Sequence, residues 1–520
     1  MTKTAFLSNR KNLIYLIASF ALLKLLVHFM TYDHYELHRD AYLYYAQSEH
    51  LDWGFIAVPP LVGAIGKLAT TIFGHTTFAM RFFPALIGAL NVFLVGLMVV
   101  ELGGKWKAVC LACLAYLLSP AYLHTNSLFQ PVSFNHFFWL WSAYFVLRLI
   151  NRNDPKYWLW LAMTFGLGFL NKYSIVFFFS GFLPALALSK HRQLYLNKYF
   201  LWACLLAIAI ILPNLIWQYQ HNWPVMMHMK ALRETQLVNV RISDFLIAQL
   251  MMNAQALLLW LMALILLLFH PKERTFQVFG LTFLMVVFLL IAGSGKAYYT
   301  LGAYPMLFAF GAYHVEKYTG KWVIPTTVFL LVLMFAGLYL SIPYDGIPFV
   351  RAENIAGKSS HRWEDGEYHE IPQDMADMTG WKELGEAVAS VYKGLGPENK
   401  DNVDIFCNNY GQAGAVMFYG KSVNVPQPIS TNGSFVFWSP DSLTKEYFIL
   451  VDHDPGDEDG SNEMLPVFFE KVELVKTIDN PYFRENGTNI YLCQHPTVVV
   501  KEHYKKLMGA EKGKYKRNNK

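Results

Sequence analysis

The chain has 520 residues, of which 54% are hydrophobic and 16% charged, and its net charge is +5. A soluble domain usually carries about 25% charged residues, so a soluble protein throughout is excluded, and so small a charge gives no reason to expect a nucleic-acid partner. The deficit is uneven: long apolar runs fill the chain up to about Ile342, and from Pro343 onward it reads as an ordinary globular sequence.

The first element is the apolar run Asn12–Met30 behind a basic start (Lys3, Arg10, Lys11). The run is too long for a signal peptide, and "LVHFMTY" has no small-residue cleavage site, so it is expected to stay as a membrane span. A spanning helix needs about 20 mainly apolar residues, and eleven candidates centre near residues 21, 89, 117, 140, 164, 180, 208, 257, 284, 306 and 332. Between the first two lies "PPLVGAIGKLATTIFG", an amphipathic run expected to form an interfacial helix. The short loops "GGKWK", "RLINRNDPK", "KHRQ", "HPKER" and "EKYTGK" are all basic, which places them and the N-terminus on the cytoplasmic side. An odd number of spans then puts the C-terminal part outside, together with "LHRDAYLYYAQSEHLDWGFIAVPPL", "HTNSLFQP", "NKYS" and "SGKAYY".

The expected layout is thus a membrane domain (1–342) with a first outer loop (31–77), a soluble extracytoplasmic domain (343–500), and a basic, disordered tail (501–520). In the soluble domain "GWKELGEAVASVYKGL" has helical spacing, while "VDIFC", "EYFILVDHD", "VELVKTI" and "NIYLCQ" read as strands, which together predict a small α/β fold. Cys110, Cys113 and Cys204 lie in apolar runs and read as small buried hydrophobes. Cys407 and Cys493 are left as a potential disulfide if this part is exported. The acidic run "DHDPGDED" lacks the sixth-position glycine of a calcium loop and reads as a solvated surface. "NYGQAGA" is a glycine-containing turn into a helix, which could bind an anion but reads first as a structural turn. The Asn-Gly pairs at Asn432 and Asn486 have the form of glycosylation sequons but read first as turns.

The order "HRDAYLYYAQSEHLDWGFIAVPPL", "FAMRFFPALIGA", "FQPVSFNHFFWLW", "GLGFLNKYS", "GKAYYTLGAYPMLFAFGA" resembles the bacterial membrane glycosyltransferases of family 39, the protein O-mannosyltransferase-like group. These belong to the GT-C superfamily, which also contains the lipid A aminoarabinose transferases. The resemblance spans roughly residues 35 to 315 and rests on order and spacing. It implies a GT-C type, α-helical polytopic membrane domain carrying a C-terminal α/β domain. It also implies transfer of a sugar, with inversion, from a polyprenyl-phosphate donor lipid in the bacterial cytoplasmic membrane to an acceptor glycolipid, glycan or exported protein.

An acceptor hydroxyl needs a carboxylate to take its proton, and Asp40 matches the family's acid in the first outer loop. A departing lipid phosphate needs fixed cations and donors, for which the chain offers Lys172, Lys296 and Arg81 with the hydroxyls of Tyr298 and Tyr299. Arg39, His124, Gln130 and Asn135 fall to acceptor or sugar binding; His38 and His50 with Asp40 are weak candidates for a divalent metal. Each residue has a plainer reading beside this one. Asp40 could cap the helix that starts at "RDAYLYYAQ", Lys296 and Lys172 could snorkel to the interface, Arg81 could anchor to lipid headgroups, and Lys24 is either paired or snorkelling. Many members of the family have a second acid where Ala41 stands and Asp where Asn135 stands, and the aminoarabinose transferases carry Glu-Lys where this chain has Ala57-Val58, which puts a carboxylate-bound metal in doubt and weakens the match to lipid A modification. A transporter or lipid flippase is the alternative, although no paired broken helices in two similar halves are evident. A sensor with an exported ligand-binding domain is the other.

Overall fold

The computed structural model describes residues 9–341, 350–358, 360–453 and 465–517. Internal contacts divide the chain into two compact bodies. One, the helical body, comprises residues up to Tyr32, Phe82–Leu215 and Lys230 onward to the end of the apolar region. The other, the mixed body, gathers Asp33–Arg81, Ile216–Met229 and the residues from Val350 to the C-terminus. Hydropathy draws its boundary at 342/343; contacts instead group the first outer loop and a short segment near residue 220 with the C-terminal residues.

In the helical body each of the eleven expected centres falls within a helix. Four described helices are long and apolar enough to cross a membrane: Arg10–Phe29, Thr77–Glu101, Lys198–Gln220 and Gly320–Ser341. A fifth is reached if the bent pair Ile242–Met251 and Ala254–Phe269, which meet at 61°, is one span. Several others are cut short: Trp106–Leu117 stops just before Ser119 and Pro120, and Ile175–Leu188 holds only 14 residues. At 1.5 Å per residue such helices reach about 20 Å, less than the hydrocarbon thickness. The helices Pro131–Arg152 and Tyr157–Asn171 form an antiparallel hairpin, so the start of the first lies beside the end of the second, where Asn171 Nδ2 donates to the Pro131 carbonyl at 2.8 Å.

In the mixed body a four-stranded sheet runs in the order β3–β4–β6–β5, with β3 (Val403–Cys407) parallel to β4 (Tyr447–Asp452). β6 (Asn489–Pro496) pairs antiparallel with β4 and with β5 (Phe469–Thr477). A separate two-stranded ribbon joins β1 (His361–Arg362) to β2 (Tyr368–His369). The expected helix appears as Trp381–Gly394, burying Trp381, Leu384, Val388 and Tyr392 at helical spacing. The expected amphipathic helix after the paired prolines appears as Leu61–Phe73, and its small residues Gly63, Gly66 and Ala69 lie on the buried side.

Two expectations for this body are corrected, and a third, the structural turn, is met. The basic tail is not disordered: Val498–Lys514 is a helix, because Val500, Tyr504 and Met508 recur every fourth residue and bury against Phe448 and Tyr491 while the lysines face out. Cys407 and Cys493 are free thiols. They lie on β3 and β6 with β4 between, and two strand spacings of about 4.8 Å exceed what a disulfide can bridge. "NYGQAGA" opens the helix Tyr410–Tyr419, but Asn409 Oδ1 already accepts from the Gly411 and Gln412 N–H groups, at 2.9 and 3.2 Å, so that helix end is capped from within. The Asn-Gly pairs are turns, with φ of 58° at Gly433 and 85° at Gly487. The acidic run at 452–459 lies, beyond His453, outside the described residues.

Candidate active site

The outer-loop helix Arg39–Glu49 carries the acid singled out by the sequence. Its N-cap is His38, whose Nδ1 accepts the Asp40 N–H at 3.1 Å. Asp40 is therefore not the cap; it sits in the first turn, where a negative charge meets the positive end of the helix dipole. Tyr410 of the helix Tyr410–Tyr419 donates its hydroxyl to Asp40 Oδ1 at 2.7 Å. The Arg39 guanidinium lies 4.9 Å over the Tyr410 ring, and its Nε stands 3.6 Å from Glu485. Glu485 in turn accepts from Asn409 at 3.0 Å and from Gln412 at 2.9 Å. Burial raises the Tyr410 phenol well above its usual pKa, and the Asp40 charge adds to this, so the hydroxyl keeps its proton and stays a donor.

Two glycines make this closeness possible. A Cβ at Gly414 would fall 2.5 Å from the Tyr42 carbonyl oxygen, and one at Gly411 would fall 2.8 Å from Arg39 Cγ. The helix Tyr410–Tyr419 thus lies almost backbone to backbone on Arg39–Glu49, burying every residue from Ala41 to Ser48. The far end of the outer-loop helix is tied as well. Glu49 pairs with Lys67 at 3.0 Å and Lys421 at 2.6 Å, and the His50 ring stacks on Trp438 at 4.3 Å while Nε2 meets Gln427 at 3.0 Å.

The metal trio expected from His38, His50 and Asp40 is not assembled. Twelve residues of mostly helical chain separate the two histidines, about 18 Å, and each has taken other partners. Among the described residues, one group of His and acid side chains is close enough to share an ion: His38, Asp374 and Asp377. His38 Nε2 is 3.7 Å from both acids. Arg484, however, donates to both Asp377 oxygens at 3.0 Å, so protein cations already balance the group and we assign it a structural role. Burial opposes charge on His38, but Asp374, Asp377 and Asp40 outweigh it and push its pKa up to about 9. The cap geometry is that of the neutral Nε2–H tautomer, which the ring holds above that value; below it Nδ1 gains a proton and gives up the Asp40 N–H. Burial raises the Asp377 carboxyl above its usual value, against the pull of His38 and Arg484.

The other expected residues divide between the bodies. Arg81 is buried in the mixed body, where Nη2 donates to the Glu36 carbonyl at 2.6 Å. Arg81 and Arg39 thus both have partners within the mixed body. In the helical body Lys172 lies over the rings of Tyr298 and Tyr299, at 5.5 and 5.0 Å. Three of the proposed phosphate ligands are thus brought together, and Lys296 precedes the two tyrosines as N-cap of the turn Ala297–Ala303. His124 ends the short helix Pro120–Thr125 and Gln130 caps Pro131–Arg152. Asn135 is buried one turn into the latter, and its Oδ1 has no hydrogen-bond partner among the described residues; the same holds for His136 Nδ1, Asn171 Oδ1 and Ser174 Oγ. Lys24 is fully buried and donates to the Tyr122 carbonyl at 2.9 Å, so it is paired rather than snorkelling.

Sequence reasoning missed Tyr410, Glu485 and the Asp374–Asp377–Arg484 group. "NYGQAGA" was the available signal, since two glycines three apart mark a close helix approach as well as a turn.

The class these features define is the GT-C fold: broken apolar helices with a capped outer-loop helix and a small C-terminal sheet. Residues 57–217 match the family model described as dolichyl-phosphate-mannose-protein mannosyltransferase. The fold is similar to two crystal structures of ArnT from Cupriavidus metallidurans. The structure bound to undecaprenyl phosphate gives a TM-score of 0.60 at 12% identity, covering 91% of this chain and 97% of that one. The apo structure gives 0.61 at 11% identity, with the same coverage. No curated protein sequence matches the chain. The apolar helices and this likeness in fold make the chain an integral membrane protein with a GT-C fold, the fold that the sequence resemblance implied. Asp40, Lys296, Tyr298 and Tyr299 lie outside the stretch matched by the family model, and Arg81, Lys172, His124, Gln130 and Asn135 lie within it.

Proposed function

We propose that this chain is an inverting glycosyltransferase that moves a sugar from a polyprenyl-phosphate carrier to an acceptor hydroxyl at the outer face of the cytoplasmic membrane. The acceptor oxygen attacks the anomeric carbon, the bond from that carbon to the phosphate oxygen breaks, and the lipid phosphate leaves with the electron pair. Asp40 takes the acceptor's proton as attack proceeds. Lys172 and Lys296, with Tyr298 and Tyr299, meet the charge that develops on the phosphate. Asn135, His124 and Gln130 serve the sugar or the acceptor.

The observation that carries this reading is the placement of Asp40: a first-turn carboxylate that does not cap its helix and that receives a phenol hydroxyl at 2.7 Å. A solvated loop acid or a helix cap would need neither. The match of residues 57–217 to a mannosyltransferase family model supports it, as does the likeness in fold to a structure bound to undecaprenyl phosphate. The test is incubation of the purified protein with a panel of labelled undecaprenyl-phosphate hexoses and pentoses and membrane extract. Label should pass to an extract component, and Asp40→Asn should abolish transfer with no change in elution profile or thermal midpoint. An Asp40→Asn variant at full activity would sink the assignment of the base.

A further inference from the structure

We propose that Tyr410 is a positioning residue for Asp40, so that the C-terminal domain completes the active site. The inference rests on the reading of Asp40 as base and adds to it a role for the domain. Three observations lead there. The Tyr410 hydroxyl donates to Asp40 Oδ1 at 2.7 Å across 370 residues of sequence. The ring itself is fixed from its face by the Arg39 guanidinium at 4.9 Å, and Arg39 is drawn toward Glu485 at 3.6 Å. Glu485 is then held by Asn409 and Gln412, the two residues on either side of Tyr410 and Gly411. The chain Asp40–Tyr410–Arg39–Glu485–Asn409 closes on itself, and every member belongs to one compact body.

Such a loop orients a base: it fixes the carboxylate plane, because a phenol on one oxygen restricts rotation about the Cβ–Cγ bond. Charged and titratable groups that also face Asp40 include His38 at the cap, Arg39 beside it, Asp377 beyond His38, and His228 of the helix Pro224–Thr235.

The test compares Tyr410→Phe, which keeps the ring under Arg39 and removes only the hydroxyl, with Asp40→Asn and the wild type. The probe is whichever labelled undecaprenyl-phosphate sugar the wild type turns over. Tyr410→Phe should lower kcat about tenfold with KM for the donor lipid unchanged. Tyr410→His, which retains a donor, should recover part of kcat. Independently of turnover, 3-fluorotyrosine placed at 410 should give a 19F resonance that shifts when Asp40 is replaced by Asn, because the acceptor of its hydroxyl changes. A Tyr410→Phe enzyme with unchanged kcat, beside an inactive Asp40→Asn, overturns the positioning role while leaving the base intact. A 19F resonance indifferent to Asp40→Asn overturns it even if the phenylalanine variant fails to fold. An active Asp40→Asn overturns the reading beneath both.

Discussion

Around the residues singled out by the sequence the two bodies satisfy polar groups to different degrees. Each shows the other pattern elsewhere: Glu273 takes Lys317 and Tyr318 in the helical body, and both amide atoms of Gln47 lack hydrogen-bond partners among the described residues of the mixed body. In the mixed body acids and bases are interlocked: Asp377 takes Arg484 and His38, Glu485 takes Arg39, Asn409 and Gln412, and Glu49 takes two lysines. In the helical body the buried polar groups at the start of Pro131–Arg152 and around the end of Tyr157–Asn171 keep atoms without partners among the described residues. A buried polar atom left unpaired costs about 1–3 kcal/mol. Four such atoms gather at one end of a helical hairpin, whereas the charges of the mixed body named above answer one another. The comparison teaches that charge content alone does not mark a site; whether the charge is already answered does.

The comparison breaks or sharpens with four measurements. The largest effect is expected at Asp40, where charge is both held and used: Asp40→Asn should cost about 10³-fold in transfer, in the range of lost general-base catalysis, with thermal stability retained. Arg484→Met should do the reverse. It strips a nearly fully buried carboxylate of its fork and should lower stability by about 3 kcal/mol, read as a fall in the detergent melting temperature. In the helical body, Asn135→Leu removes an unpartnered amide oxygen and should leave the melting temperature unchanged or higher while lowering transfer about tenfold. A loss of stability there as large as for Arg484→Met would erase the distinction.

The smallest effect concerns Asp404 on β3, an acid in the mixed body whose pKa burial raises to about 6, with Lys445 only partly opposing it. Its native pKa exceeds the unfolded value, so between about pH 4 and pH 6 the native state binds the more protons and stability falls as pH rises. Above that window the full penalty applies. Asp404→Asn should therefore raise the melting temperature at pH 7.5 by the equivalent of about 1 kcal/mol, after allowing for solvent screening, and change nothing at pH 4.

Much of the fold could be read from local pattern. The eleven apolar centres all lie in helices, and Trp381–Gly394 and the strands β3 to β6 stand where spacing placed them. What local pattern missed were long-range choices. "HRD" offers two side chains able to cap the next helix, and spacing cannot decide that His38 caps while Asp40 turns to Tyr410. Lysines in the tail hid Val500, Tyr504 and Met508, because composition averages over a helix that buries one residue in four. The pairing of Cys407 with Cys493 looked open only because the strand between them comes later in sequence order than β3 and earlier than β6. In the candidate site, the nearness of Lys172 to Tyr298 and Tyr299 joins residues more than 120 positions apart, and the partners of Arg81 and Arg39, Glu36, Glu485 and Tyr410, are likewise choices that local spacing does not reveal.

The glycine-lined approach of Tyr410–Tyr419 onto Arg39–Glu49 also sets a timetable. The ribosome delivers the outer-loop helix about 370 residues before its partner, which at 5–20 residues per second is a wait of roughly 20 to 70 s. Until then Leu61–Phe73 is the chief packing partner of that helix already made, and the rings of Tyr42 and Tyr45 wait for Trp381 and Phe418, against which they pack in the finished molecule. The outer-loop helix is therefore covered on one side while the apolar helices are made, and its packing is complete only once the last third of the chain is being translated.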